Sequence, residues 1–331
     1  MSDDRNSGPN RPTSGRSGRG GKAGGDRNRS NRRGSGPQQS GPNQSGPKRS
    51  GANRTGGKGA EGRGHTGSSG RQHVGRPRQA SQQIVDGPDW LYGAHAVRAA
   101  LMNPKRRLLR LIATENGSEA IAEPARQRGL QIEKADGKDM DRMFAPGTVH
   151  QGIALRVAPL PEPVLADILG ASNAADENGE PTKPLVILDQ VTDPQNVGAV
   201  LRSAAVFGAR AVIVTRRNSP PITGTLAKAA SGAVEQMPLV QVPNVAQAIA
   251  VLQSEGWFTV GLEGTGDKSL AQMDLTGKIA IVMGAEGTGL RRLTAERCDL
   301  LAKIPGEPGF ASLNVSNATA VALYEISRQR G

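Results

Sequence analysis

Apolar positions cluster in two stretches of the chain, and both alternate between helical and extended spacing. In the first, WLYGAHAVRAAL (90–101) has helical periodicity and RLLRLIAT (107–114) reads as a strand. SEAIAEPARQRG (118–129) predicts a helix that Pro124 kinks or shortens. LQIEKA follows as a strand, GKDMDRMF as a short helix and GIALRVAP (152–159) as a strand. This alternation predicts a small α/β unit. Residues 160–183 break it. VLADILGA has room for one or two helical turns, and ASNAADENGEPTK is polar and turn-rich, as a linker would be.

From Pro184 the alternation returns more strongly. PLVILDQV, ARAVIVTRR, MPLVQVP, WFTVGLEG, KIAIVMG and LLAKIPG read as strands. Between them, QNVGAVLRSAAVFG, TGTLAKAASGAVE, NVAQAIAVLQSEG and RRLTAERC read as helices, and SLNVSNATAVALYEISRQR as a terminal helix. Near-continuous apolar strands alternating with helices predict a parallel sheet covered on both faces. Ligands of such sheets bind at the carboxyl ends of strands, so the loops after strands are where chemistry is expected.

Composition changes the picture at the N-terminus. The first 80 residues hold 20 of the 44 glycines, no aromatic residue and Val74 as their one β-branched aliphatic residue. They carry 17 lysines and arginines against four acids, a net +13, so the other 251 residues carry −1 of the chain's +12. Such a stretch buries too little apolar surface to offset its conformational entropy and is expected to be disordered when free. Ser-Gly-Pro recurs at 35–37, 40–42 and 45–47, and Arg-Gly steps at Gly18-Arg19-Gly20 and Gly62-Arg63-Gly64. Glycine with arginine and few acids suits contact with RNA phosphates without sequence readout; a merely solubilising tail is the alternative.

Several function classes drop out. No run of about 18 apolar residues is present, so no transmembrane helix is expected. MSDDRNSGPN has no apolar core of a secretory signal, and the tail's glycines and prolines leave no amphipathic transit helix. The lone Cys298 excludes a disulfide framework, and the four histidines (65, 73, 95 and 150) have no metal-binding spacing. No metal site, no membrane contact and a reducing cytoplasm are the expectations. GLEGTGDKS (261–269) fails as a phosphate loop because Asp267 separates Gly from Lys. GAEGTG (284–289) has the wrong glycine spacing, after a late strand, for dinucleotide binding, which weakens a dehydrogenase reading.

Three segments hold polar groups that packing does not demand. In DQVTDPQNVGAVLRSAAVFG (189–208), Asp193-Pro194 marks a strand-to-helix turn. Gly198 and Arg202 then share a helix face, and Arg202 lies among apolar neighbours, where it needs an anion or a wet cleft. Gly198 implies close backbone approach, to a ligand or to a packed neighbour. In IAIVMGAEGTGL (279–290) a buried strand runs into a glycine loop bearing Glu286. In IPGEPGFASLNVSNATAVALYE (304–325), Ser312 is a good helix cap, but Asn314, Ser316 and Asn317 exceed what capping requires.

Together and in this order, the three segments resemble the SpoU/TrmH family of RNA ribose 2′-O-methyltransferases. Its first motif is similar to Asn196-Val197-Gly198-Ala199-Val200-Leu201-Arg202, its second to Gly284-Ala285-Glu286-Gly287 and its third to Ser312-Leu313-Asn314-Val315-Ser316. Upstream, Tyr92-Gly93-x-His95-x-Val97 and His150-Gln151-Gly152 look like the family's small RNA-binding domain. The long basic tail departs from the family's compact start, and Ile304-Pro305 is followed by Gly306 where methionine is common.

The resemblance implies an α/β fold of the SPOUT type with a C-terminal trefoil knot in 184–331. A small α/β RNA-binding domain at 85–160, a linker at 161–183 and the disordered basic tail at 1–84 would precede it. It further implies S-adenosyl-L-methionine held by backbone around Gly284, Ile304 and Leu313. A homodimer with the site at its interface is also implied, with RNA as substrate. Arg202, Asn196, Glu286, Ser312 and Asn314 would be the catalytic set. The branch most similar in architecture modifies a guanosine of bacterial 23S rRNA. A tRNA ribose methyltransferase and a non-catalytic RNA-binding or ribosome-assembly protein are the alternatives. Deleting residues 1–80 is expected to weaken RNA binding and flatten its salt dependence, leaving cofactor binding unchanged. Each lost phosphate contact lowers the log–log salt slope by about 0.7–0.9, and binding titrations at several salt concentrations check this.

Overall fold

Leu185–Asp189 and Ala211–Thr215 are buried at every position, as strands are when helices cover both faces of a sheet. The computed structural model describes residues 89–177, 179, 182–307 and 313–331. The expected tail, residues 1–84, lies outside them, as does Ser312.

The first part of the described chain runs β1 (Trp90–Tyr92), α1 (Ala94–Met102), β2 (Leu108–Ala113), α2 (Glu115–Gln127), β3 (Ile132–Lys134), α3 (Gly137–Met143) and β4 (Ile153–Val157). The sheet order is β1-β4-β2-β3, with β4 antiparallel to both of its neighbours and β2 parallel to β3. The stretch expected to be one helix over 90–101 is a strand and then a helix. Gly93, at φ 85, breaks it, and the bulky Trp90, Leu91 and Tyr92 pair with β4. α2 passes through Pro124 and ends three residues later.

Leu165–Glu177 forms α4, a 13-residue helix where the sequence suggested one or two turns before an irregular linker. Ile168 and Leu169 are buried against the large sheet, and that docking outweighs the missing periodicity.

The large sheet follows, through β5 (Leu185–Asp189), α5 (Pro194–Val206), β6 (Ala211–Thr215), α6 (Gly224–Ala229), a 3₁₀ turn (Ala233–Glu235) and β7 (Leu239–Val242). α7 (Val245–Ser254), β8 (Phe258–Leu262), β9 (Lys268–Ser269), β10 (Ile279–Gly284), α8 (Arg292–Arg297), β11 (Leu300–Lys303) and α9 (Val315–Arg330) complete it. Seven parallel strands lie in the order β7-β6-β5-β10-β8-β11-β9.

Alternate residues of β5 face opposite layers. Val186 and Leu188 pack with α5, α6 and α9, while Leu185 and Ile187 pack with α4 and α7. Among the described residues no helix is long and apolar enough to cross a membrane. The strand order reverses at β5, from which the chain builds outward to β7 and then crosses to β8 on the far side. The loops after β5 and β10 therefore open next to each other.

Gly198 is where α5 and α6 touch. An added Cβ would lie 2.5 Å from the Leu226 carbonyl oxygen and 2.6 Å from the Ala229 Cβ. The close approach inferred from the sequence is thus to a packed helix, not to a ligand. Gly198→Ala, favourable by about 1 kcal/mol on helix propensity alone, is expected to destabilise the chain by about 1–3 kcal/mol through overpacking. Urea unfolding of the two proteins checks the sign.

Candidate active site

β5 and β10 pair in parallel with Gly284 opposite Asp189, so both strands deliver their loops at one level. After β5, Gln190 takes a left-handed conformation (φ 63), and its amide oxygen accepts from the Asn218 amide at 2.8 Å. Asp193 then caps α5, accepting from the Gln195 and Asn196 backbone N–H groups at 3.1 and 3.3 Å, with Pro194 in the first turn. That cap places Asn196 at the edge of the loop after β10.

The second loop closes on itself. Ala285 and Gly289 exchange backbone hydrogen bonds of 3.1 and 2.9 Å, and Gly287 and Gly289 take positive φ of 79 and 68. A Cβ at Gly284 would come within 2.1 Å of the Gly289 carbonyl carbon. The glycine is therefore needed for the loop to fold back against its own strand. A side chain there would break the loop rather than project into the space beside it. Glu286 projects, exposed, from the tip.

The third element is the start of α9. Asn314 caps it, accepting from the Ser316 N–H at 2.9 Å and the Ser316 hydroxyl at 2.6 Å. The Asn314 amide donates to Asn196 Oδ1 at 3.0 Å and to Glu286 Oε2 at 3.4 Å, and the Asn196 amide donates to Glu286 Oε2 at 3.5 Å. Three residues separated by up to 118 positions thus form one hydrogen-bonded cluster.

The cluster stands beside a cavity of about 310 Å³. Leu262, Met283, Ile304, Leu313 and Val315 supply apolar walls, and residues 284–289 supply backbone polar groups. Size and lining match a small-molecule site, where roughly 300–1,000 Å³ is usual. Gly284, Ile304, Leu313 and Glu286 all line it. A wider concavity of about 710 Å³ lies among Thr114, Glu115, Lys134, Asp136 and Asp139. There Lys134 pairs with Glu115 at 2.9 Å and Asp136 caps α3, so those groups hold the loops together.

Arg202 stands apart. It is exposed on α5 and makes no hydrogen bond or ion pair with the described residues. Val206 on the same helix is 71% exposed, and Val321 and Tyr324 on α9 are also exposed.

Sequence reasoning passed over Asp189 and Arg291. Asp189 is fully buried, accepting from the Arg291 backbone N–H at 3.2 Å and from its guanidinium at 2.6–3.1 Å. The pair ties the far end of the glycine loop to β5. Its signal in the sequence was a single acid ending the apolar run PLVIL. Cys298 is no nucleophile: burial first, then the nearby Asp299 and Asp189 carboxylates, push its thiol up to about 12.

The family model described as SpoU rRNA Methylase family matches residues 183–324. A second, described as RNA 2′-O ribose methyltransferase substrate binding, matches residues 90–163. The 23S rRNA (guanosine-2′-O-)-methyltransferase RlmB of Pseudomonas aeruginosa is 41% identical over 247 residues, covering 72% of this chain and 96% of that protein.

The chain belongs to the SpoU rRNA methylase family. The protein of the same name from Escherichia coli K12 is 40% identical, over 73% of this chain and 99% of its own length. Among solved structures, the SpoU methyltransferase AviRb of Streptomyces viridochromogenes, in complex with AdoMet, has the same fold at TM-score 0.60. It is 20% identical over 73% of this chain and 89% of that one. The AdoMet-bound rRNA methyltransferase of Sinorhizobium meliloti superposes with TM-score 0.60, at 24% identity over 72% of this chain and 86% of that one.

Asp189→Ala removes the buried partner of Arg291 and frees one end of the loop that carries Glu286. A loss of about 3 kcal/mol is expected from the broken charged hydrogen bonds, measured by chemical denaturation.

Proposed function

We propose that this chain transfers a methyl group from S-adenosyl-L-methionine to the ribose 2′-hydroxyl of a guanosine in 23S rRNA. The observation that carries the reading is the convergence of Asn196, Glu286 and Asn314 within 3.0–3.5 Å of one another beside the cavity. It occurs in a chain whose curated relatives, matched over nearly their whole length, bear that activity in their names.

The cofactor fits the cavity's chemistry. Ile304, Leu313 and Met283 offer apolar surface to an adenosine, and the loop from Gly284 offers backbone hydrogen bonds to its polar edges. When bound, it supplies an electrophilic methyl on a sulfonium.

The protein's own residues must then hold the 2′-oxygen in line and stabilise it as its proton leaves. Glu286 fixes the two asparagine amides; Asn314 is fully engaged by Ser316, Asn196 and Glu286, whereas Asn196 keeps one N–H and one lone pair to position ribose and RNA. Arg202 acts as a charge clamp on the 2′-oxygen and the adjacent phosphate. A guanidinium holds its proton tightly and is therefore a costly base, but its planar fork grips two oxygens together. Ser312 joins the positioning set.

The reading includes a homodimer. Arg202 does not reach the cluster within one protomer, and the exposed Val206, Val321 and Tyr324 flank it as a surface for a second copy to cover. It also includes a trefoil knot within 184–331. Support for the knot comes from the late strand β10 lying between β5 and β8, with α9 packed back on α5. The matched segment 90–163 serves as the RNA-binding domain, and the cytoplasm is the compartment.

Arg202→Ala should lower methyl transfer by roughly 10²–10³-fold while keeping S-adenosyl-L-methionine binding, read by calorimetry. Arg202→Lys separates clamp from base. Lysine keeps the charge, has a pKa near 10.4 and lacks the fork. A clamp leaves it impaired from pH 6 to 10 in single-turnover assays. Recovery of activity toward pH 10 would refute the clamp.

A further inference from the structure

The seam between the two sheets of this chain is closed by a buried ion pair. Arg106, just before β2, and Glu235, at the end of the 3₁₀ turn after α6, each have side chains only 3% exposed. The Arg106 guanidinium donates to Glu235 Oε1 at 2.9 and 3.1 Å and to the Ala158 carbonyl at 2.9 Å. The Asn103 amide donates to Glu235 Oε2 at 2.8 Å. Both carboxylate oxygens of Glu235 are thus used by the small sheet's side of the seam.

The rest of the seam is as close. A Cβ on Gly232 would lie 2.5 Å from the Ala99 Cβ, and one on Gly224 would lie 2.2 Å from the Tyr92 ring. The Tyr92 and Thr225 hydroxyls are 2.8 Å apart, and the Lys228 ammonium donates to the Val149 carbonyl at 2.8 Å. Leu101 and Ala100 of α1 share one apolar cluster with Ala230 and Ala233.

The upstream motifs around Tyr92 and His150 therefore stand at this seam. His150 itself is buried, stacked on Phe144, with its Nδ1 accepting from the Gly152 N–H at 3.0 Å and its Nε2 3.0 Å from Asp141. α6 in turn packs on α5 at Gly198, and α5 carries Asn196 and Arg202.

We propose that Arg106 and Glu235 are positioning residues. Their pair registers the small sheet domain on the α6 platform, so that RNA held by the former is presented at a fixed distance from Asn196 and Arg202. This rests on the methyltransferase reading and adds how its two parts are held. A breakable seam would leave the ribose tethered but unaligned, and alignment is what makes transfer effectively unimolecular. Burial gives the pair leverage, because removing one partner strands the other charge in the seam.

The test uses the full chain and 23S rRNA transcribed in vitro. Arg106→Met, Glu235→Gln, the double variant and Ala99→Leu, a wedge into the seam from the small domain, are compared with wild type. Each should lower kcat/KM for the transcript at least tenfold, with the calorimetric Kd for S-adenosyl-L-methionine unchanged within twofold. The double variant should be no worse than the worse single, because both singles break one interaction. Amides of α1 and of 233–235 should lose hydrogen-exchange protection in all four variants.

Lost protection with unchanged kcat/KM would overturn the proposal, as would additive losses or a weakened cofactor Kd, which would mean general damage to the large domain. Protection retained in every variant would overturn the docking itself. A wild-type chain that binds the cofactor yet leaves the transcript unmethylated would instead overturn the assigned activity.

Discussion

The parallel pairing of β5 with β10 is the contact on which the site depends. Setting Gly284 opposite Asp189 brings the ends of two strands, 95 residues apart in the chain, to one level at the point where the strand order reverses. Everything polar that matters then follows from short tethers. The Asp193 cap fixes Asn196, the closed glycine loop fixes Glu286, and the turn into α9 fixes Asn314. The buried Asp189 has no solvent to share, so Arg291 satisfies it and in doing so anchors the loop.

Small residues carry the mechanical side. Gly198 lets α6 approach α5 to backbone contact, and the same α6 receives the small sheet through Thr225, Lys228 and the turn ending in Glu235. A displacement of the small sheet is therefore felt first by α6 and next by the helix that bears Arg202. Interiors packed this tightly pass on shifts because no free volume absorbs them. The cavity, by contrast, is walled by residues from several segments and depends less on any single contact.

Much was legible before the structure. The runs PLVILD, ARAVIVT and KIAIVMG are short, near-continuously apolar and rich in β-branched residues, as buried parallel strands are, and they are β5, β6 and β10. Glu286 stood out as an acid on a glycine loop, Asn314 as one of several polar groups at a helix start, where it proves to be the cap, and Asn196 through the motif it shares with the family. Trp90–Tyr92 misled because aromatic residues beside a helical pattern were read into it, whereas their pairing with β4 depends on residues about 65 positions away. α4 was underestimated because its stability comes from docking Ile168 and Leu169, not from its own pattern.

The sequence by itself determined the alternation of elements, the parallel sheet, the charge of the first 80 residues and the identity of the three loops, because burial and turn chemistry are local and repeat with a fixed period. Only the tertiary structure decided which loops meet, that Gly198 faces a helix, that Gly284 guards the loop and that Arg106 finds Glu235. Apart from the Gly284 contact within its own loop, those contacts join residues as far as 129 positions apart, and a pairing at such distance is set by strand order and helix packing, which no local pattern encodes.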